Sequence, residues 1–119
     1  MNNILFVNGC VREDSRTLML ARKVLSNLSG NISELKLAAA ALLPLDWDKV
    51  QKRSSLVEAG DFSSPLLKYA KAFSEADEIV IAAPYWDLAF PAIMRIYLEY
   101  VTVTGVTFKY SPEGIPIGL

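Results

Sequence analysis

Side chains that can bind an anion follow directly after an apolar segment near the start of the chain. Residues 3–8 are mostly apolar, and Gly9 opens a polar loop that leads into a helical pattern. The candidate ligands in this loop are Cys10, Arg12, Ser15, Arg16 and Thr17. Backbone N–H groups in the first helical turn lack intrahelical acceptors and lie at the positive end of the helix dipole. The pattern therefore predicts a strand, a phosphate-binding loop and a helix, in that order.

The same loop has a second interpretation, in which its polar residues serve the fold. Ser and Thr are preferred at helix N-termini because their oxygens accept backbone N–H bonds. Cys10 is either a thiol activated by two arginines and a helix N-terminus, or a small buried packing residue. On this loop alone, helix capping and phosphate binding both remain open.

A second apolar segment, residues 78–83, is also followed by residues that suit a ligand. Its continuous apolar run is typical of a strand covered on both faces of a parallel sheet. The residues that follow it are Pro84, Tyr85, Trp86, Asp87 and Leu88. Planar ligands bind at the carboxyl ends of strands in doubly wound sheets, so this loop is a candidate ring-binding site. The alternative is that both aromatic residues pack in the core or in an interface.

The two loops together resemble a known family. Residues 9–17 resemble the Gly-Ser-x-Arg-x-x-Ser-x-Thr loop that holds the FMN phosphate in NAD(P)H-dependent flavin oxidoreductases of the flavodoxin-like fold. Cys10 stands where that family more often has serine, and a thiol is a weaker hydrogen-bond donor than a hydroxyl. Residues 84–88 resemble the Pro-x-Tyr-Trp loop that lines the flavin ring in the quinone and azo reductases of this family.

The resemblance implies a function and a set of binding residues. It implies FMN as cofactor and NAD(P)H as co-substrate, with hydride passed to a quinone, an azo compound or a similar electron-poor acceptor. The first loop would bind the phosphate and the second would border the ring. Because the cofactor supplies the chemistry, we assign no catalytic acid or base. The alternatives are a degenerate module that acts as an interaction subunit, and a cradle for free phosphate or a nucleotide.

The resemblance extends to the helix predicted over Pro91–Val103, which begins at a proline in its first turn. Its apolar positions cover more than one face, which predicts that little of the helix is left to solvent. The family uses this helix in a homodimer interface, so we expect a homodimer. A fully buried core helix is the alternative. Residues 105–114 resemble the family's Gly-x-Thr-Phe-x-Tyr-x-x-x-Gly segment.

The strand count differs from that of the family. The sequence predicts three strands, at Asn3–Asn8, Ile32–Leu37 and Glu78–Ala83, within an α/β doubly wound parallel sheet. The family has five strands in the order 2-1-3-4-5. We therefore expect one partial flavodoxin-like domain over residues 1–119, truncated at its C-terminus, with the order 2-1-3. Its third strand would be an apolar sheet edge, which favours association with another chain. Residues 38–63 give no clear pattern.

Composition excludes several other classes of function. The chain has 119 residues, no histidine, one cysteine and a net charge of -1. A zinc cluster, a histidine-dependent nucleophile and a disulfide framework are therefore not expected, nor is a nucleic-acid footprint. No apolar run reaches the ~20 residues of a membrane span, and no basic leader precedes the first apolar segment. We expect a cytoplasmic protein that acts on a small molecule and binds no metal.

Overall fold

The computed structural model describes residues 2–12, 14–85 and 89–119. The strands are β1 (Asn3–Asn8), β2 (Asn31–Lys36), β3 (Glu78–Ala82), β4 (Phe108–Tyr110) and β5 (Pro116–Gly118). The α-helices are α1 (Arg16–Ser26), α2 (Trp47–Glu58), α3 (Lys68–Glu75) and α4 (Ala92–Val101), and a 3-10 turn occupies Leu37–Ala39. The chain divides into two units: residues up to Leu42 with Ala76–Arg95, and Leu43–Glu75 with Ile96–Leu119.

The first unit contains a parallel sheet in the order β2-β1-β3, which confirms the predicted order. In the central strand, Phe6 pairs with Glu34 of β2 and with Val80 of β3. Residues 4–8 of β1 are all buried, and the strand has a hydrogen-bonded neighbour at each edge. The predicted second and third strands were right in position, and each ends one residue earlier than expected.

Helix α1 covers one face of this sheet. Alternation places Ile4 and Phe6 on the same face of β1, where they pack with Ala21 and Leu25 of the helix. Ser15 is the N-cap, since its Oγ accepts the Leu18 N–H at 3.3 Å. The helix therefore starts within the loop that follows β1, as the sequence predicts.

The second unit contains elements that the sequence pattern did not predict. Asp46 caps α2, because its Oδ1 accepts the Lys49 N–H at 2.8 Å. None of the residues of α2 is fully buried. A helix that buries so little needs no strong repeat of apolar residues, and its sequence has none. Strands β4 and β5 form an antiparallel pair of only three residues each, mostly exposed. Short exposed strands carry no clear alternation of apolar and polar residues, which explains why this pair was missed.

Helix α4 is buried on one side only. Met94, Tyr97, Tyr100 and Val101 are buried within the single chain. The exposed positions include Ala92, Arg95, Leu98 and Glu99. The expectation that little of this helix faces solvent therefore does not hold in the single chain.

Three tyrosines form an aromatic cluster in the second unit. Tyr69 packs edge-to-face against Tyr97 and Tyr100, with ring centroids 6.2 and 5.9 Å apart. The Tyr100 hydroxyl donates to the Leu43 carbonyl oxygen at 2.7 Å. The Tyr97 hydroxyl is buried and has no hydrogen-bond partner within residues 2–12, 14–85 and 89–119. Burial, with a smaller effect from Tyr69, raises the pKa of Tyr97 to about 12.

Among the helices that the structure describes, each is too short or too polar to cross a bilayer.

The Gly9→Ala variant tests the close approach of two strand ends in the first unit. A Cβ atom at Gly9 would lie 2.9 Å from the Ala82 carbonyl oxygen and 2.6 Å from Met94 Cε. We expect this overpacking to lower the free energy of unfolding by about 1 to 3 kcal/mol in urea denaturation. The control is Gly118→Ala, because nothing lies within 4 Å of a Cβ there. Equal stability of the two variants would contradict the prediction.

A second prediction compares the two buried tyrosine hydroxyls. Tyr97→Phe removes a hydroxyl without an acceptor in the described part of the chain, so the free energy of unfolding should stay the same or rise. Tyr100→Phe removes the bond to Leu43 and should lower it by about 1 kcal/mol. Thermal denaturation of both variants measures the difference. A larger loss in Tyr97→Phe would show that its hydroxyl has a partner in the folded protein.

Candidate functional site

The carboxyl ends of β1 and β3 bring the two candidate loops together. Asn8 pairs with Ala82 in the sheet, and the Gly9 N–H donates to the Ala82 carbonyl oxygen at 2.8 Å. Parallel strands end at the same edge of a sheet, where α/β proteins bind ligands. The loops that begin at Gly9 and at Ala83 therefore start side by side.

The first turn of α1 offers hydrogen-bond donors at this edge. Within the described residues, no acceptor binds the N–H groups of Arg16 and Thr17. Ser15 and Thr17 are half-buried, and the Arg16 side chain is exposed. The Ser15 oxygen accepts the Leu18 N–H, which leaves the hydroxyl proton available to a ligand. Helix capping and anion binding are thus compatible at this helix end.

Cys10 points into the core. Its side chain is 3% exposed and packs with Ile4, Phe6 and Ala21. Its backbone N–H donates to Asn8 Oδ1 at 3.0 Å. This burial favours the packing interpretation of the thiol over a reactive one.

Arg12 is paired with an acidic neighbour in the loop. Its Nε and Nη2 atoms each lie 3.1 Å from one of the carboxylate oxygens of Asp14. This guanidinium lowers the pKa of Asp14 from its ordinary value, through hydrogen bonding and charge. Both side chains are largely exposed, and exposed ion pairs contribute little to stability. Arg12 can therefore exchange Asp14 for a ligand anion at small cost.

An open cleft of about 370 Å³ lies on the β2 side of the loop. It brings Cys10 and Arg12 together with three residues that the sequence analysis did not single out as ligands: Asn8, Arg22 and Lys36. Ser15, Arg16 and Thr17 do not line it. The predicted phosphate ligands are thus divided between the helix end and the cleft.

The buried Asn8 forms a polar contact with the more exposed Glu34. Asn8 Nδ2 donates to Glu34 Oε2 at 3.1 Å, and Arg22 Nη1 donates to Glu34 Oε1 at 3.2 Å. The pKa of Glu34 is lowered, chiefly by the hydrogen bond from Asn8; burial opposes this, and the hydrogen bond and charge of Arg22 add to the lowering. A sequence signal existed for Asn8 alone, because asparagine before glycine at a strand end favours a side-chain-bonded turn.

The second candidate loop is described in part. Pro84 is half-buried, and Tyr85 is 70% exposed. Trp86, Asp87 and Leu88, which were predicted to border a ring, lie outside the described residues. An exposed aromatic ring at a strand end leaves apolar surface for a planar ligand.

The described residues contain no group of three or more His, Cys, Asp or Glu side chains placed to hold a metal ion.

Sequence comparison places this chain beside oxidoreductases. It is 35% identical to FMN-dependent NADH:quinone oxidoreductase 2 of Clostridium perfringens (strain 13 / Type A), over all of this chain and 63% of that protein. A protein of the same name in Clostridium acetobutylicum is 61% identical over 41% of this chain and 24% of its own length. The chain thus spans about 63% of the length of the first of these relatives.

Solved structures share the fold. The crystal structure of azoreductase from Bacillus anthracis str. Sterne has a TM-score of 0.82 and 29% identity, over 100% of this chain and 64% of that one. An FMN-dependent NADH-azoreductase from Bacillus anthracis str. Ames Ancestor in complex with FMN has a TM-score of 0.74. Its identity of 20%, over 100% of this chain and 63% of that one, supports the fold alone.

The sequence model of the family described as Flavodoxin-like fold matches residues 2–119. That match covers both candidate loops and agrees with the β2-β1-β3 order of the parallel sheet. The chain belongs to the flavodoxin-like fold family.

Proposed function

We propose that this chain binds FMN and belongs to an NAD(P)H-dependent oxidoreductase that reduces a quinone, an azo compound or a similar acceptor. The observation that carries the proposal is the pair of N–H groups at Arg16 and Thr17, which have no acceptor among the described residues. They lie in the first turn of α1, after the loop that follows β1, and Gly9 at the start of that loop donates to Ala82, the last residue of β3. The names of the relatives from Clostridium and of the Bacillus structures support the same class of reaction.

The residues at the helix end fit a phosphate group. A phosphate there would accept the Arg16 and Thr17 N–H groups and hydrogen bonds from the Ser15 and Thr17 hydroxyls. Arg12 would supply charge after leaving Asp14. Cys10 would contribute by packing beneath the loop, because its thiol is buried and its N–H is already bonded. These roles require that the N–H and hydroxyl donors at the start of α1 are ordered before the phosphate binds.

The second loop would border the ring of the cofactor. Pro84 and Tyr85 follow β3 after Ala83, and Trp86, Asp87 and Leu88 come next in the sequence. When bound, FMN would supply the chemistry of hydride transfer between NAD(P)H and the acceptor. The protein would orient the ring and shield it from water, and we assign no side chain as a catalytic acid or base.

The second candidate function is a flavodoxin-like module without turnover that acts as an interaction subunit. Flavin binding followed by NADH oxidation separates the two functions.

Reconstitution with FMN tests the proposed function. The purified chain is mixed with FMN, freed of unbound flavin and examined by visible absorption, and NADH oxidation is then followed with a quinone. We expect bound flavin and quinone-dependent oxidation. Bound flavin without oxidation would favour the module without turnover. A colourless protein would overturn the FMN proposal.

Loss of the loop hydroxyls should weaken the binding of FMN selectively. In the Ser15→Ala/Thr17→Ala variant we expect FMN affinity to fall by about tenfold or more, since bonds to a charged group are lost. Riboflavin lacks the phosphate, so its affinity should not change. Fluorescence titration with both flavins measures this. Asp46→Ala is the control, because it removes a helix cap from α2 and leaves the loop intact. Equal FMN affinity in the double variant and the wild type would contradict the phosphate assignment.

We further propose a homodimer through α4 (Ala92–Val101), the helix that the sequence predicted over Pro91–Val103. In the single chain this helix exposes Leu98 beside Glu99. The apolar third strand, β3, lies at an edge of the described sheet, which also favours association.

A charge on the exposed face of α4 tests this assembly. Leu98→Glu should shift the chain from dimer to monomer in size-exclusion chromatography with light scattering, since burying an unpaired carboxylate is costly. Leu20→Glu is the control, because Leu20 is an exposed leucine on α1. A monomeric wild type, or equal effects of the two substitutions, would exclude this helix as the interface.

A further inference from the structure

A buried amide lies at the base of the candidate phosphate loop. Asn8 ends β1, directly before Gly9, and is 1% exposed. Its Oδ1 accepts the Cys10 N–H at 3.0 Å, and its Nδ2 donates to Glu34 Oε2 at 3.1 Å. The side chain therefore connects the first turn of the loop with the neighbouring strand. Buried polar groups need such partners, because an unsatisfied one is costly.

Glu34 can bind the Asn8 amide in one orientation only. An ionised carboxylate accepts hydrogen bonds and donates none, so it must face the NH₂ group of the amide. The amide oxygen is then directed to the Cys10 N–H. Rotation of the amide by 180° would set its oxygen against the carboxylate and its NH₂ group against the N–H. Glu34 thus determines which way the amide points.

Glu34 is itself held in place by α1. Arg22 donates to its second carboxylate oxygen, Oε1, at 3.2 Å. The Arg22 guanidinium lies over the Phe6 ring, 5.8 Å from its centroid. Phe6 of β1 is paired in register with Glu34 of the adjacent strand β2. The Asn8 amide, at the end of β1, and the Arg22 guanidinium, over the Phe6 ring, therefore both reach the Glu34 carboxylate from β1 or from above it. The contact joins two strands and a helix below the loop.

We propose that Glu34 is a positioning residue for the loop of residues 9–17: it fixes the Asn8 amide, which in turn fixes the Cys10 N–H and the first turn of the loop. With respect to the cofactor phosphate, this inference rests on the proposed function. A loop ordered before the ligand arrives loses less conformational entropy on binding. Glu34 touches no proposed ligand atom, so its effect on affinity is indirect.

Amide hydrogen exchange in the flavin-free protein tests the effect of Glu34 on the loop. In Glu34→Ala we expect the Cys10 amide to exchange about tenfold faster, because its acceptor is no longer held. Glu34→Gln keeps an oxygen that can accept from Asn8 and should restore most of the protection. Ser33→Ala, on the same strand and the opposite face, should match the wild type. Unchanged protection of Phe6 in β1 shows that the sheet remains folded.

Flavin titration tests the consequence for the ligand. Glu34→Ala should weaken FMN binding by about tenfold and leave riboflavin binding unchanged, since only FMN carries the phosphate. Equal losses for both flavins would overturn the proposal, because they would indicate general damage. An unchanged Cys10 exchange rate in Glu34→Ala would overturn it whether or not flavin binds. A wild type that binds neither flavin would overturn the proposed function, while the Cys10 exchange rates would still decide whether Glu34 orders the loop.

Discussion

The close contact between Gly9 and Ala82 is the constraint on which the candidate site depends. The Gly9 N–H donates to the Ala82 carbonyl oxygen, and no Cβ atom fits between the two strand ends. Because of this contact, the loop after β1 and the loop after β3 start from fixed neighbouring points. The Gly9–Ala82 contact therefore also constrains where the first turn of α1 and the exposed Tyr85 lie. A larger residue at position 9 would separate the strand ends from which both loops start.

Two arginines at the candidate site are paired with carboxylates of the protein. Arg12 is paired with Asp14, and Arg22 with Glu34. Anion binding here would therefore rely on directed N–H and hydroxyl donors more than on net charge. Such donors recognise the shape and hydrogen-bonding capacity of a phosphate, whereas a cluster of unpaired arginines would attract many anions. The two ion pairs also differ in role, since the Arg12 pair is exposed and exchangeable while Glu34 supports the loop from below.

Continuous apolar runs predicted β1 and β3, and Gly9 and Ser15 marked the loop and the helix start. Residues 4–8 of β1 are buried, whereas in β3 only Ala82 is, so the expectation that this third strand is covered on both faces does not hold in the single chain. Helix α2 and the β4–β5 pair bury little, so their patterns were not distinctive. Asn8 and Glu34 are separated by 26 residues, and their contact follows from the strand register rather than from local spacing. The register in which β1 pairs with β2 cannot be read from the pattern of residues along either strand.

The position of β1 between β2 and β3 has a consequence for the order of folding. The contact of β1 with β2 spans 26 residues at Asn8 and Glu34, whereas its pairing with β3 spans 74 at Ile4 and Glu78. Closing the longer segment costs more chain entropy and slows the search for the native pairing. We therefore expect β1, α1 and β2 to associate early and β3 to dock late. During folding, the loop after β1 would then be in place before the loop after β3 is brought beside it.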